Sequence, residues 1–153
     1  MQNFPYSPEG LAMTKRYEGL RRTAYQDSGG VWTIGFGHTG PGITSGQVIT
    51  DLEADALLRA DLRDAIDCVN RCVRVALEQN QFDALVDFCF NVGRGNFLHS
   101  TLLTQLNAQD FAGAGEQFGR WINVNGHPNR GLQRRRAAEA AMFRGTYRAN
   151  SIA

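Results

Sequence analysis

The chain has 153 residues, with 42% hydrophobic and 20% charged side chains and a formal net charge of +1. That composition excludes a disordered, collagen-like or membrane-spanning chain and allows one globular domain with a real core. The charge is uneven: residues 1–111 carry 9 basic and 13 acidic side chains, whereas residues 112–153 carry 7 arginines and 2 acids. Such asymmetry points either to an anionic partner or to a solvated Arg-rich face.

The N-terminal MQNFPYSPEG has neither a basic start nor an apolar run, so no secretory signal is expected, and no stretch approaches membrane-spanning length. Residues 1–6 read as a loose extension. Ser7-Pro8-Glu9 then reads as a helix start, with Ser as N-cap, Pro at the first helical position and an acid in the first turn. Gly19 marks the helix end and leaves Glu18 in the last turn. From Thr23 to Ile43 the glycines lie between Tyr25, Val31, Trp32, Ile34 and Phe36. Asp27-Ser28-Gly29-Gly30 is a turn signal between β-formers. The pattern predicts a small antiparallel sheet: Thr23–Gln26, Val31–Gly35 and a short third strand near His38.

Thr50-Asp51-Leu52-Glu53 has the form of a capping box. Leu58, Leu62, Ile66, Val69 and Val73 form an apolar stripe, predicting one long helix over about 51–70. Further helices are predicted at about 79–91, 97–106, 109–122 and 130–143, punctuated by Gly93-Arg94-Gly95 and Gly126-His127-Pro128. Cys68, Cys72 and Cys89 are odd in number and have apolar flanks. Without nearby histidines they read as buried free thiols of a reducing compartment, and no metal site is expected.

Glu18, Asp27 and Thr33 form a candidate constellation. Glycoside hydrolysis needs two carboxyl groups in unlike surroundings. Glu18 lies among Tyr17, Leu20 and Tyr25, whereas Asp27 lies in a polar turn and Thr33 on the returning strand. Taken singly, each has a plainer reading: a surface carboxylate, a turn former and a β-strand choice.

The stretch Glu18-Gly19-Leu20-Arg21, Ala24-Tyr25-Gln26-Asp27 and Thr33-Ile34-Gly35-Phe36-Gly37-His38 resembles the active-site segment of the phage-type lysozymes, glycoside hydrolase family 24, which include the lysozyme of T-even bacteriophages. The likeness continues through Gln79–Leu85, Phe90–Gly93, Ser100–Leu103 and Gly131–Arg136, covering roughly residues 8–148. It implies an α+β, lysozyme-like fold. A small antiparallel β lobe (with the first helix, about 8–49) and a larger helical lobe (about 71–150) would flank a cleft, joined by the long helix, all in one catalytic domain over 1–153. It implies muramidase activity on peptidoglycan with Glu18 as general acid and Asp27 with Thr33 positioning water. It also implies a structural ion pair between His38 and Asp61, and no cofactor.

Other readings attach to single residues. Asn91 is a candidate sugar-binding residue or a helix cap beside Gly93. Tyr25 and Trp32 either stack on sugars or pack in the β lobe. The arginines Arg130, Arg134, Arg135 and Arg136 contact an anionic membrane or polymer, or form a solvated face with an Arg135–Glu139 pair. No nucleic-acid motif accompanies them. The expected protein is a monomeric endolysin held in the host cytoplasm until a holin, a functional rather than a binding partner, releases it to the cell wall in the periplasm. Two alternatives stay open: a non-catalytic peptidoglycan-binding or membrane-disrupting module, and a lytic transglycosylase using Glu18 alone.

Overall fold

A computed structural model describes residues 3–150 of the chain. They form two compact units, one of Thr14–Arg63 and one of residues 3–13 with 64–150. The class is α+β, as expected.

Helix α1 spans Pro8–Glu18. Ser7 caps it as predicted: its Oγ accepts from the Gly10 amide at 3.1 Å and donates to the buried Asp83 carboxylate at 2.5 Å. Residues 1 and 2 lie outside the described residues, but 3–6 are not the loose extension expected. The Phe4 ring stacks on Phe82 with centroids 5.4 Å apart, and Asn70 bonds both backbone groups of Phe4. An aromatic residue in a polar N-terminal run was the missed sign of docking. At the other end, Gly19 ends α1 with φ +72° and its amide on Lys15 O.

In the Thr14–Arg63 unit, strands β1 (Arg21–Gln26), β2 (Trp32–Gly35) and β3 (His38–Thr39) form one antiparallel sheet in sequence order. Tyr25 faces Thr33, Thr33 faces Thr39, and Ile34 faces His38. Ile34, Ile49 and Ala54 form the buried core, with Leu20, Phe36 and Leu57 packed on it. Helix α2 (Asp51–Asp61) begins at the predicted capping box: the Glu53 amide donates to Thr50 Oγ1, and Glu53 Oε2 accepts from the Thr50 amide at 2.7 Å.

The single long helix expected over 51–70 is divided. Helix α2 ends at Asp61, and α3 runs Arg63–Cys72. Leu62 stays in the αR region, but its amide bonds Ala60 O as well as Leu58 O, tightening the turn. An apolar stripe reports burial and is blind to such a turn, since Leu58, Leu62 and Val69 are all buried.

The other unit is built around α4 (Gln79–Val92), whose Phe82, Leu85, Val86 and Phe88 are fully buried. The helix expected at 97–106 is split into α5 (Arg94–Leu98) and α6 (Thr101–Asn107). Ser100 divides them: its Oγ donates to Phe97 O at 2.7 Å and accepts from the Leu103 amide at 3.1 Å. Helix α7 (Phe111–Gln117) passes into a 3₁₀ turn, Phe118–Arg120. A hairpin of β4 (Asn123–Val124) and β5 (His127–Pro128) follows, turning on Asn125 and Gly126, both at positive φ. Helix α8 (Arg130–Phe143) starts at Asn129, which accepts the Leu132 amide.

Candidate active site

Glu18, Asp27 and Thr33 all lie in the Thr14–Arg63 unit. Glu18 is the last residue of α1 and is half-buried. Its carboxylate rests against the tight turn between β2 and β3: a Cβ placed on Gly37 would stand 3.2 Å from Glu18 Oε2. Gly37 has φ +79°, a left-handed conformation that favours glycine beside Glu18.

Asp27 closes the β1–β2 turn. Its Oδ1 accepts the Gly29 amide at 2.8 Å and the Val31 amide at 2.9 Å, while its own amide donates to Val31 O. Oδ2 accepts no bond among the described residues. Thr33 is 4% exposed, and its hydroxyl donates to Val31 O at 3.1 Å. The Val31 peptide therefore holds both side chains. It donates to the carboxylate of Asp27 and accepts from the hydroxyl of Thr33. The turn-former and strand readings of the two residues hold alongside any chemistry.

Tyr25 lies opposite Thr33 on the same face of the sheet, with the Arg21 guanidinium 4.3 Å from its ring centroid. One ring face is thus taken by an arginine. Trp32 is half-buried.

His38 points to the opposite face. It is the cross-strand partner of Ile34, which is 1% exposed in the core against α2. That register carries His38 Nδ1 to within 2.8 Å and 3.0 Å of the two Asp61 oxygens. The contact ties β3 to α2. His38→Asn is expected to lower stability by about 1 kcal/mol, the value of a partly exposed charged hydrogen bond. Lytic activity at room temperature should be unchanged. Thermal denaturation and turbidity clearance check both halves, and lost activity in a folded variant would place His38 in the chemistry.

A family model for phage lysozymes matches residues 15–139. The chain belongs to the phage lysozyme family. It is 45% identical over 141 residues to an endolysin of Acyrthosiphon pisum secondary endosymbiont phage 1, covering 90% of this chain and 96% of that one. Among solved structures, an endolysin from Escherichia coli O157:H7 phage FAHEc1 superposes with a TM-score of 0.89 at 34% identity, over 96% of this chain and 98% of the other. The muramidase domain of SpmX from Asticaccaulis excentricus gives 0.85 at 40% identity, over 91% and 97%. The enzyme class of this phage lysozyme is therefore muramidase.

The basic segment of this phage lysozyme needs correction. Arg135 and Arg136 are 4% and 1% exposed, so neither is available to a membrane or an anionic polymer. Arg135 makes a two-point ion pair with the buried Asp87, both bonds 2.9 Å, and lies 3.8 Å from Glu139. The expected Arg135–Glu139 pair exists, but inside the protein rather than on a solvated face. Burial, aided by the Asp87 charge, holds the Glu139 carboxyl well above the usual carboxylate range. Arg130 and Arg134 are exposed.

Asn91 lies in the last turn of α4, and its Oδ1 accepts from Arg136 Nη2. The cap itself is Gly93, at φ 91°. Beside Asn91 is a cavity of about 370 Å³ lined also by Asn96, Arg120, Trp121, Asn123 and Leu132. Trp121, which lies between Arg120 and Ile122 in the sequence, was not singled out from the sequence.

The three thiols are free, with Cys68 and Cys72 Sγ atoms 4.0 Å apart. Burial pushes the Cys68 thiol up to about 11 and Cys89 higher, so neither supplies a thiolate at neutral pH. Among the described residues, no group of three or more His, Cys, Asp or Glu side chains is placed to hold a metal ion.

Proposed function

We propose that this phage lysozyme hydrolyses the β-1,4 bond between N-acetylmuramic acid and N-acetylglucosamine in peptidoglycan, with both units serving one catalytic domain. The observation that carries the reading is the Val31 peptide holding Asp27 and Thr33 together, in the same unit that packs Glu18 against Gly37.

Glu18 donates its proton to the glycosidic oxygen as the bond to the anomeric carbon breaks. A water held by Asp27 and Thr33 attacks that carbon from the other side. The Thr33 hydroxyl hydrogen is committed to Val31 O, which leaves its oxygen lone pair to accept from the water. Asp27 Oδ2 accepts the water's other hydrogen and takes its proton as the new C–O bond forms. Because Oδ1 is held by two backbone amides, the carboxylate presents one fixed oxygen.

This scheme inverts configuration. NMR of freshly cleaved peptidoglycan is expected to show the α-anomer first. An initial β-anomer overturns the assignment of Asp27 as water positioner, and products lacking the mass of one water identify a lytic transglycosylase instead.

The physiological part of the proposal is host-cell lysis. The chain, as a monomer, crosses to the periplasmic cell wall after a holin opens the inner membrane. Relatives named as endolysins support release to the wall. Any contact with an anionic surface rests on Arg130 and Arg134.

A further inference from the structure

The cavity beside Asn91 has a fixed hydrogen-bonding polarity. An amide side chain offers one acceptor oxygen and one donor NH₂ group, and the two ends are set by their partners. Arg136 can only donate, so the Asn91 end that meets it is Oδ1. Asn91 Nδ2 then faces away, and it makes no hydrogen bond among the described residues. Asn96 is set in the opposite sense. Its Nδ2 donates to Val92 O at 2.8 Å, and its Oδ1 accepts no hydrogen bond among the described residues.

Both walls are braced from the core. Arg136 lies over the Phe88 ring, 5.1 Å from its centroid, and its Nε is 3.1 Å from Glu139 Oε2. Phe88 meets the Trp121 ring edge-on at 5.8 Å. One buried ring therefore steadies the cation behind Asn91 and the indole that lines the same cavity.

A donor and an acceptor lining one cavity, beside a flat aromatic, are complementary to a secondary amide. We infer that this cavity binds a secondary amide of the substrate, with Asn91 Nδ2 donating to its carbonyl, Asn96 Oδ1 accepting from its N–H, and Arg136 acting as the residue that positions Asn91. The inference rests on peptidoglycan being the substrate. Peptidoglycan carries such amides in two places, the acetamido groups of the glycan and the stem peptide.

Two probes separate these sources by titration calorimetry: a chito-oligosaccharide, which has acetamido groups and no peptide, and a free stem peptide. Asn91→Asp keeps an oxygen for Arg136 but replaces the outward donor with an acceptor. It is expected to weaken the probe that binds by about tenfold or more. Whichever probe responds names the source. Unchanged affinity for both probes, or no binding of either to the wild-type chain, overturns the inference.

The positioning role has its own readout. Arg136→Met should weaken the probe when Asn91 is present and add no further loss in an Asn91→Ala background. Equal losses in both backgrounds make Arg136 merely structural. If Arg136→Met does not fold, Asn91→Asp decides alone. Hydrolysis of whole peptidoglycan by the wild-type chain is measured alongside. Intact hydrolysis without amide binding overturns only this inference, whereas absent hydrolysis overturns the proposed function.

Discussion

Glu18→Gln is expected to reduce clearance of chloroform-treated Gram-negative cells by about a thousandfold or more while leaving the melting temperature nearly unchanged. The variant keeps the size of the side chain and its ability to bond, and removes only the transferable proton. General acid catalysis contributes on the order of 10² to 10⁴ in rate, and a poor alkoxide leaving group puts this case toward the upper end. Glu18 sits half-buried against the Gly37 turn, where an isosteric amide fits without moving the backbone. The same assay tests the competing membrane-disrupting reading. Lysis undiminished in Glu18→Gln would mean that cells die without glycan cleavage, and the enzyme mechanism would fall.

The second large effect concerns stability. Asp87→Ala is expected to cost roughly 3–5 kcal/mol, because it leaves the buried Arg135 guanidinium without its two-point partner. At about 2–4 °C per kcal/mol for a chain of this size, the melting temperature should drop by roughly 10 °C. Glu139 is a poor replacement for Asp87, even though losing the Asp87 charge removes one of the causes of its raised pKa. It stands 3.8 Å from Arg135 Nε, and its burial opposes ionisation. Glu139 also sets the condition of the measurement. Its folded-state pKa lies above the unfolded value, so the folded chain holds the extra proton and stability falls as pH rises from the ordinary glutamate range toward that raised value. Wild type and variant are therefore compared at one pH. A loss below about 1 kcal/mol would show that water or another acid satisfies Arg135, and the ion pair would not be a structural anchor.

Both effects separate what local sequence governs from what distant contacts govern. Ser7, Thr50 with Glu53, and Gly19 bounded their helices because a cap involves neighbours three or four residues away. Asp27-Ser28-Gly29-Gly30 specified its turn for the same reason, and the turn in turn presents Asp27 beside Thr33. The spacing of Glu18, Asp27 and Thr33, with the blocks that follow, was enough to identify the family.

Tertiary structure decided the rest. The arginine run reads as an exposed basic face by composition, since a guanidinium is rarely buried. Arg135 is inside only because Asp87, 48 residues earlier, meets it from another helix. Arg136 likewise depends on Phe88 and Asn91, and through them it sets which end of the Asn91 amide is offered outward. The docking of Phe4 on Phe82 belongs to the same class. Local sequence determined where helices start, where the hairpin turns and which carboxylates stand near the sheet. The burial of charge and the orientation of an amide are set by partners far along the chain, and only the folded protein brings those partners together.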